Sequence, residues 1–322
     1  MWRTRPDSGN PQNKNAGNAG DIVKHTVYLA LLKHLLKQPP WSERLQVREC
    51  HAGRGMYCIP RDDQRTKVLR QLCAPIDADN GVLLHDQQRA VQRVLRTWPK
   101  ESSGLGWYAG SAAMNTLQLG TGPGHHLIEL YEWAPDTRRV LREVLAELRP
   151  HTPDVEMRVP SDTDDLRLFD GEQFIADQIG HWDSRDLVFL DPFAMWRQPC
   201  HQAQRDRYGQ IVDAVCELDQ ESPLLVLFWT WGRAFLAAAG DLNGSSRRVR
   251  NGYQDLRCRL HKAGRHFVRI AWRWQLLQFA MWMLVPDSQR RDLADALRQQ
   301  CSNVRAHLGS CGHSEIEVII DG

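Results

Sequence analysis

The residues best suited to chemistry in this 322-residue chain lie in the run Asp186-Leu187-Val188-Phe189-Leu190-Asp191-Pro192-Phe193-Ala194. Four apolar residues, an acid and a proline read as a buried parallel strand ending in a loop. Open α/β sheets bind their ligands at the carboxyl ends of such strands. The lone pair of an aromatic amine is delocalised into its ring, so the nitrogen is a poor nucleophile. The Asp191 carboxylate and the Pro192 carbonyl can each accept one N–H of such an amine and return electron density to it. Proline fixes the turn, and Phe193 offers a face on which a flipped base can stack. None of this needs a metal. A strand that merely ends at Asp-Pro has the same sequence, so the motif alone leaves both readings open.

A second candidate is the stretch Cys50-His51-Ala52-Gly53-Arg54-Gly55-Met56, into which the candidate first strand from Leu45 to Cys50 runs. Glycines after a strand let the backbone approach a ligand, and a following helix would offer free N–H groups. The third glycine of a dinucleotide fingerprint is absent, because position 58 is Cys. An ordinary tight turn fits equally. Asp77 or Asp79 could supply the acid expected downstream. If residues 61–103 are an insertion, Glu129 becomes the acid at the end of the second strand, where a carboxylate can accept both ribose hydroxyls of a nucleoside; an exposed strand-end charge is the alternative. His51 is polar at a strand end. Lys24-His25 lies on the first helix, beside a loop rich in Gly and Asn. Asp170-Gly171 reads by itself as a helix N-cap.

The elements that must position these groups alternate between helix and strand. A helix runs from Ile22 to about Lys37, capped by Asp21 and stopped by Pro39-Pro40. Residues 62–100 read as charged helices, Gln64–Cys73 and His85–Trp98. A turn at Tyr108–Ser111 leads into a helix over Ala112–Leu119, then a strand over Leu127–Leu130. The helix Asp136–Leu148 has apolar residues at helical spacing. A strand over Val155–Val159, a helix over Glu172–Ile179, the strand Leu187–Leu190, a helix over Tyr208–Leu218 and the strand Leu224–Trp229 follow. Phe267–Trp274 and Phe279–Val285 lie close enough for an antiparallel hairpin. A helix over Gln289–His307 and a strand over Glu315–Ile320 close the chain. The expected fold is α/β: a mostly parallel Rossmann-like sheet of the class I methyltransferase type, with a terminal antiparallel hairpin. Residues 1–60 and 104–322 would form this domain, and 61–103 an inserted helical subdomain.

Composition narrows the class. At 42% apolar and 25% charged residues the chain is globular in type. No apolar run suits a membrane span, and the beginning of the sequence has no signal-peptide character, so the expected location is cytoplasmic. The eight Cys are scattered, which argues against a disulfide framework. Cys301 with Cys311-Gly312-His313 lacks the second close pair of a zinc site, so no metal is expected. The net charge of +2 gives no global polyanion signal, yet eight arginines fall between Arg247 and Arg273. Arginine forks suit phosphates, and a solvated helix face explains them equally. Gly-x-Ser-x-Gly and the P-loop are absent. Trp272, Trp274 and Trp282 lie on expected strands and read as core.

Taken in order, several segments resemble the bacterial 23S ribosomal RNA adenine-N6 methyltransferase family. Ala16-Gly17-Asn18-Ala19-Gly20-Asp21-Ile22-Val23-Lys24-His25-Thr26 looks like its N-terminal loop and helix, and His51-Ala52-Gly53-Arg54-Gly55-Met56-Tyr57 like its Gly-rich cofactor loop. Gly110-Ser111, Glu129, Asp170-Gly171 and Asp191-Pro192 recur in the family's order, as does the insertion after the first Gly loop. The likeness runs from about residue 15 to 300. It implies binding of S-adenosyl-L-methionine by His25, His51, Ser111, Glu129, Asp170, Gly171 and Asp191. Glu129 would take the ribose and Asp170 the adenine amine. Asp191 would be catalytic, with Lys24, Pro192 and Phe193 on the substrate side. The implied partner is RNA, with 23S ribosomal RNA the expected substrate, and the expected state is a monomer. Three features depart from the family pattern. The catalytic turn is Asp191-Pro192-Phe193-Ala194 in place of Asp-Pro-Pro-Tyr, so stacking would fall to Phe193 or Trp196. The N-terminal arm lacks the aromatic that the family presents, with Asn10 near that place. The stretch before Asp170 is extended, and Asp162 is a substitute for it.

Overall fold

A strand with neighbours on both edges and layers on both faces is a near-continuous apolar run, and β6 (Asp186–Leu190), apolar from Leu187 onward, is buried at every position. Among the described residues it sits inside an eight-stranded sheet whose order is β10 (Ser314–Asp321), β8 (Phe267–Trp274), β9 (Leu277–Leu284), β7 (Leu224–Trp231), β6, β1 (Gln46–Glu49), β4 (His126–Leu130) and β5 (Val155–Arg158). The computed structural model describes residues 19–60, 83–95, 105–132, 134–160, 185–191, 213, 215–217, 224–231, 255, 257–274, 277–285, 287–308 and 314–321. Five strands run parallel: β1 (Gln46–Glu49), β4 (His126–Leu130), β5 (Val155–Arg158), β6 and β7 (Leu224–Trp231). β9 (Leu277–Leu284) is reversed, lying between β7 and β8 (Phe267–Trp274). The expected terminal hairpin therefore forms, and β9 rather than β8 takes the place beside the parallel set. β10 (Ser314–Asp321) pairs antiparallel on the outer edge of β8.

The chain leaves β1 toward β4 and β5, then returns across the sheet to β6 on the other side of β1. The direction of strand addition therefore reverses between β1 and β6. In open parallel sheets that reversal opens a crevice at the carboxyl ends, where ligands bind.

The Gly turn does not lead into a helix as expected. Met56 begins a strand, β2 (Met56–Pro60), which forms a two-stranded antiparallel ribbon with β3 (Leu105–Ala109). Tyr57, Cys58 and Ile59 favour extended backbone, and β3 supplies an edge for them. The helix behind the turn comes only after the ribbon, as α3 (Ser111–Leu119), and Gly110 N–H donates to Gly55 O at 2.8 Å to join the two.

Helix α1 (Ala19–Leu35) is buried along most of its length and packs against α2, α3, the closing helix α5 (Asp287–Leu308) and β8. Its early start puts Asp21 within the first turn, where the helix dipole favours a carboxylate and where it pairs with Lys24 at 2.8 Å. The Tyr28 ring meets Phe189 of β6 with centroids 4.2 Å apart. Helix α2 (Leu83–Val94), the described part of the 61–103 segment, buries Leu84, Gln87, Gln88 and Val91. The Gln88 amide closes both hydrogen bonds of the Ala109 backbone, each at 2.8 Å, as a neighbouring strand would. Helix α4 (Pro135–Leu148) starts on a proline, buries Val140, Leu141, Val144, Leu145 and Leu148, and packs against α3. Trp272 and Trp282 are core residues, as expected. No helix among the described residues is long and apolar enough to cross a membrane.

The turn before β4 lies far from the crevice and tests the fold alone. Gly124 has φ +90°, and a Cβ there would sit 2.3 Å from the Glu43 carbonyl oxygen. Backbone cannot yield as a flexible side chain can. Gly124→Ala is expected to cost about 2 kcal/mol or more in denaturant unfolding. A cost within a few tenths would mean that this turn relaxes freely.

Candidate functional site

Three of the residues singled out from sequence meet at the reversal between β1 and β6. Asp191 follows the last residue of β6, and its backbone N–H donates to His51 Nδ1 at 3.3 Å. This leaves Nε2 as the protonated nitrogen of a neutral His51 ring. Lys24 reaches across from α1, with Nζ 2.5 Å from Asp191 Oδ2 and 2.8 Å from Asp21 Oδ1. Burial alone would lower the Lys24 pKa, but the two carboxylates outweigh it and hold the ammonium well above its ordinary range. The Asp191 side chain is 22% exposed against 6% for Lys24, so the acid is the member of the pair that faces outward.

Below this pair lies a residue that the sequence reading missed. Glu49 ends β1, two residues before His51, and is fully buried. Ser111 Oγ donates to its Oε2 at 2.8 Å and Asn115 Nδ2 to its Oε1 at 2.5 Å. Ser111 and Asn115 are four apart on α3 and so share a face, a spacing that could have signalled a common partner. Asn115 Oδ1 and the Tyr28 hydroxyl are buried without a hydrogen-bond partner among the described residues. Burial pushes the Glu49 carboxyl up to about 7, against the opposing pull of Asn115, Ser111 and the Lys24 charge. Folded Glu49 thus keeps its proton to about pH 7, where a free carboxyl loses it near 4.5. Between those values the folded state binds more protons, so this group's contribution to stability falls as pH rises. Glu49→Gln removes that slope. The stability of the variant relative to the parent is expected to be greater at pH 8 than at pH 5, measured by thermal unfolding at both; equal differences would contradict the buried, protonatable carboxyl.

His25 is also buried. It shares a short hydrogen bond with the Tyr108 hydroxyl, and the two rings stack with centroids 5.6 Å apart. Desolvation, helped by the neighbouring Lys24 charge, pulls its pKa down to about 3, so its ring is neutral at ordinary pH.

The space beside the glycines is filled from within the chain. Gly53 has φ +64°, and a Cβ there would fall 2.0 Å from the Tyr57 hydroxyl; one on Gly110 would fall 2.8 Å from the Tyr57 ring. Both make room for Tyr57. The Gly53 N–H donates to Glu132 Oε2 at 3.0 Å, and Ala134 N–H to Oε1 at 2.9 Å, so Glu132 clamps the turn to the loop after β4.

Glu129 lies on the opposite face of the sheet from Glu49. Arg48 and Arg158 stand level with it on the adjoining strands. Arg48 donates to its Oε2 at 2.9 Å and Arg158 to its Oε1 at 3.3 Å, while Arg48 also pairs with Asp186. A ribose at Glu129 would have to share or displace an arginine. Asp170, Gly171, Pro192 and Phe193 lie outside the described residues, as do Asp162, Ala194 and Trp196. Of the arginine-rich segment, Arg259 pairs with Asp213, Arg265 is buried, and Arg269 lies 5.4 Å from the Trp282 ring centroid. No group of three or more metal-ligating side chains occurs among the described residues.

The arrangement defines an α/β fold with charged and polar side chains gathered at its strand-order reversal. No family model matches the chain, and no curated protein matches it. Among solved structures, it is similar in fold to the crystal structure of protein LPL1258 from Legionella pneumophila strain Philadelphia 1, described there by family-model DUF519. The TM-score is 0.59 at 16% sequence identity, covering 95% of this chain and 98% of that one.

Proposed function

We propose that the protein is an S-adenosyl-L-methionine-dependent methyltransferase that acts on the N6 amine of adenine in RNA, with 23S ribosomal RNA as the substrate. The observation that carries this reading is Asp191. It sits at the carboxyl end of β6, beside the β1 turn that bears His51, with its carboxylate partly exposed above a buried cluster. The sheet supports the same reading, since its reversed β9 beside the parallel set is the terminal hairpin expected of a class I methyltransferase.

The donor set suits this cofactor, which carries an amine, a carboxylate and a sulfonium. Acids (Asp21, Glu49, Asp191), a cation (Lys24) and neutral donors and acceptors (His51, Ser111) surround the end of β1. His51, Ser111 and Asp191 would hold the cofactor, which when bound supplies an electrophilic methyl group. Asp191 accepts one N–H of the adenine amine, and the Pro192 carbonyl accepts the other. These bonds draw nitrogen lone-pair density out of the ring and aim it along the line of attack. Lys24 holds Asp191 in place through their ion pair. Positioning and exclusion of water supply most of the rate.

The test is transfer of labelled methyl groups to unmodified ribosomal RNA, followed by digestion to nucleosides. Label in N6-methyladenosine is expected. Label entering only DNA, a small molecule or a protein would keep the chemistry and change the acceptor, an outcome that Ala194 in place of the family's aromatic makes worth including. No transfer to any acceptor would refute the reading.

A further inference from the structure

Arg54 stands in the turn that follows β1, between Gly53 and Gly55, whose φ angles are +64° and +73°. The turn is fixed at three points. Gly53 N–H donates to Glu132 Oε2 at 3.0 Å, Arg54 N–H to the Tyr57 hydroxyl at 3.3 Å, and Gly110 N–H to Gly55 O at 2.8 Å. The Arg54 side chain is partly buried, and its Nε is buried with no hydrogen-bond partner among the described residues. A guanidinium keeps its charge at every ordinary pH, and a buried donor left unpaired is costly. An acceptor brought by a ligand would remove that cost. The neighbouring described cations are engaged already: Lys24 with Asp21 and Asp191, Arg48 with Glu129 and Asp186, Arg138 with the Glu132 carbonyl, and Arg158 with Glu129 and Glu156. Around the turn Asp21, Asp191 and Glu132 outnumber Lys24, so a polyanion approaching Asp191 meets negative charge that Arg54 offsets.

We propose that Arg54 binds a backbone phosphate of the acceptor strand, next to the nucleotide that enters the crevice. This rests on the reading of the protein as one that methylates a base in RNA. A flipped nucleotide brings its own phosphates to the rim of the pocket, and the planar guanidinium fork matches a phosphate with two parallel N–H bonds. Such a contact positions the strand without reading its sequence. The competing anion is the carboxylate of the cofactor. The Gly53 and Arg54 N–H groups are already given to Glu132 and Tyr57, so the turn offers a carboxylate few donors beside the guanidinium. A phosphodiester needs the fork alone.

Fluorescence anisotropy of a short, unmodified, adenine-containing single-stranded oligoribonucleotide on the full chain, over a salt series, reads this contact. Arg54→Gln is expected to weaken binding by about tenfold, the effect of losing a charged hydrogen-bonded contact. It is also expected to lower the slope of log affinity against log salt by about 0.7, the value of one phosphate contact on a single strand. Arg54→Lys, which keeps the charge, is expected to keep the slope. Calorimetry with S-adenosylhomocysteine, which has a carboxylate, and 5′-methylthioadenosine, which has none, is expected to give parental affinities in both variants. An unchanged slope in Arg54→Gln overturns the proposal. The same loss of slope in Arg54→Lys overturns it too, by making Arg54 merely structural. Weaker S-adenosylhomocysteine with 5′-methylthioadenosine spared would give Arg54 to the cofactor carboxylate instead. In each of these cases the unaltered protein still binds S-adenosylhomocysteine, and the site reading stands. An unaltered protein that binds neither S-adenosylhomocysteine nor the RNA defeats the site reading, and the assignment of Arg54 falls with it.

Discussion

Asp191→Asn is expected to lower the proposed methyl transfer by about 10³-fold without unfolding the protein. The amide is nearly the same size as the carboxylate and can still accept one hydrogen bond, so geometry survives. What would disappear is the negative charge that, in the proposed reaction, strengthens the bond to the adenine amine as its nitrogen becomes positive. Loss of one such electrostatic partner typically costs 10²–10³ in turnover. Lys24 keeps Asp21 as a partner at 2.8 Å, so stability should change little. Single-turnover transfer with cofactor in excess checks the rate, and denaturant unfolding checks the fold. A variant retaining more than a tenth of the parent rate would remove Asp191 from the chemistry.

Lys24→Met has a different signature. Lys24 serves two carboxylates, whereas Asp191 has its ion pair with Lys24. Removing the cation leaves Asp21 and Asp191 facing one another across the space it filled. Stranding a buried ion costs several kcal/mol; both acids here keep some contact with water, which screens the loss. The expected cost is about 2 kcal/mol in chemical denaturation, together with loss of transfer. The asymmetry is the point: the lysine variant loses stability and activity, while the aspartate variant loses activity alone. Equal stability of the two variants would mean that Asp21 contributes nothing to the pair.

The sequence made the main frame of this site legible. The unbroken apolar run before Asp191 read as a buried parallel strand, and β6 is buried throughout. The short gap between Trp274 and Phe279 required an antiparallel hairpin, and β8 pairs with β9 in that sense. Asp191, His51 and Lys24 come together because the first two end neighbouring parallel strands and the third lies on the helix packed beside them.

What stayed hidden depends on register. Parallel neighbours are set by hydrogen bonding between segments distant in sequence, so nothing local places Arg48 and Arg158 level with Glu129. The occupant of the glycine cradle was equally invisible. Gly53 and Gly110 are 57 positions apart, yet one tyrosine ring fills the space beside both. That ring lies there because Met56–Pro60 pairs as a strand with Leu105–Ala109, whereas the glycine pattern favoured a helix. Glu49 escaped notice for a related reason. An acid inside a strand reads as an exposed charge until Ser111 and Asn115, more than sixty residues on, are brought against it.

The central claim is that the crevice between β1 and β6 binds S-adenosyl-L-methionine. Its most direct test is calorimetric titration of that cofactor into the unaltered protein and into His51→Ala. The account predicts one site per chain, with Kd on the order of 10 µM as typical enzyme substrates show, and at least tenfold weaker binding in the variant. Absence of binding up to millimolar cofactor, or affinity indifferent to His51, would contradict it.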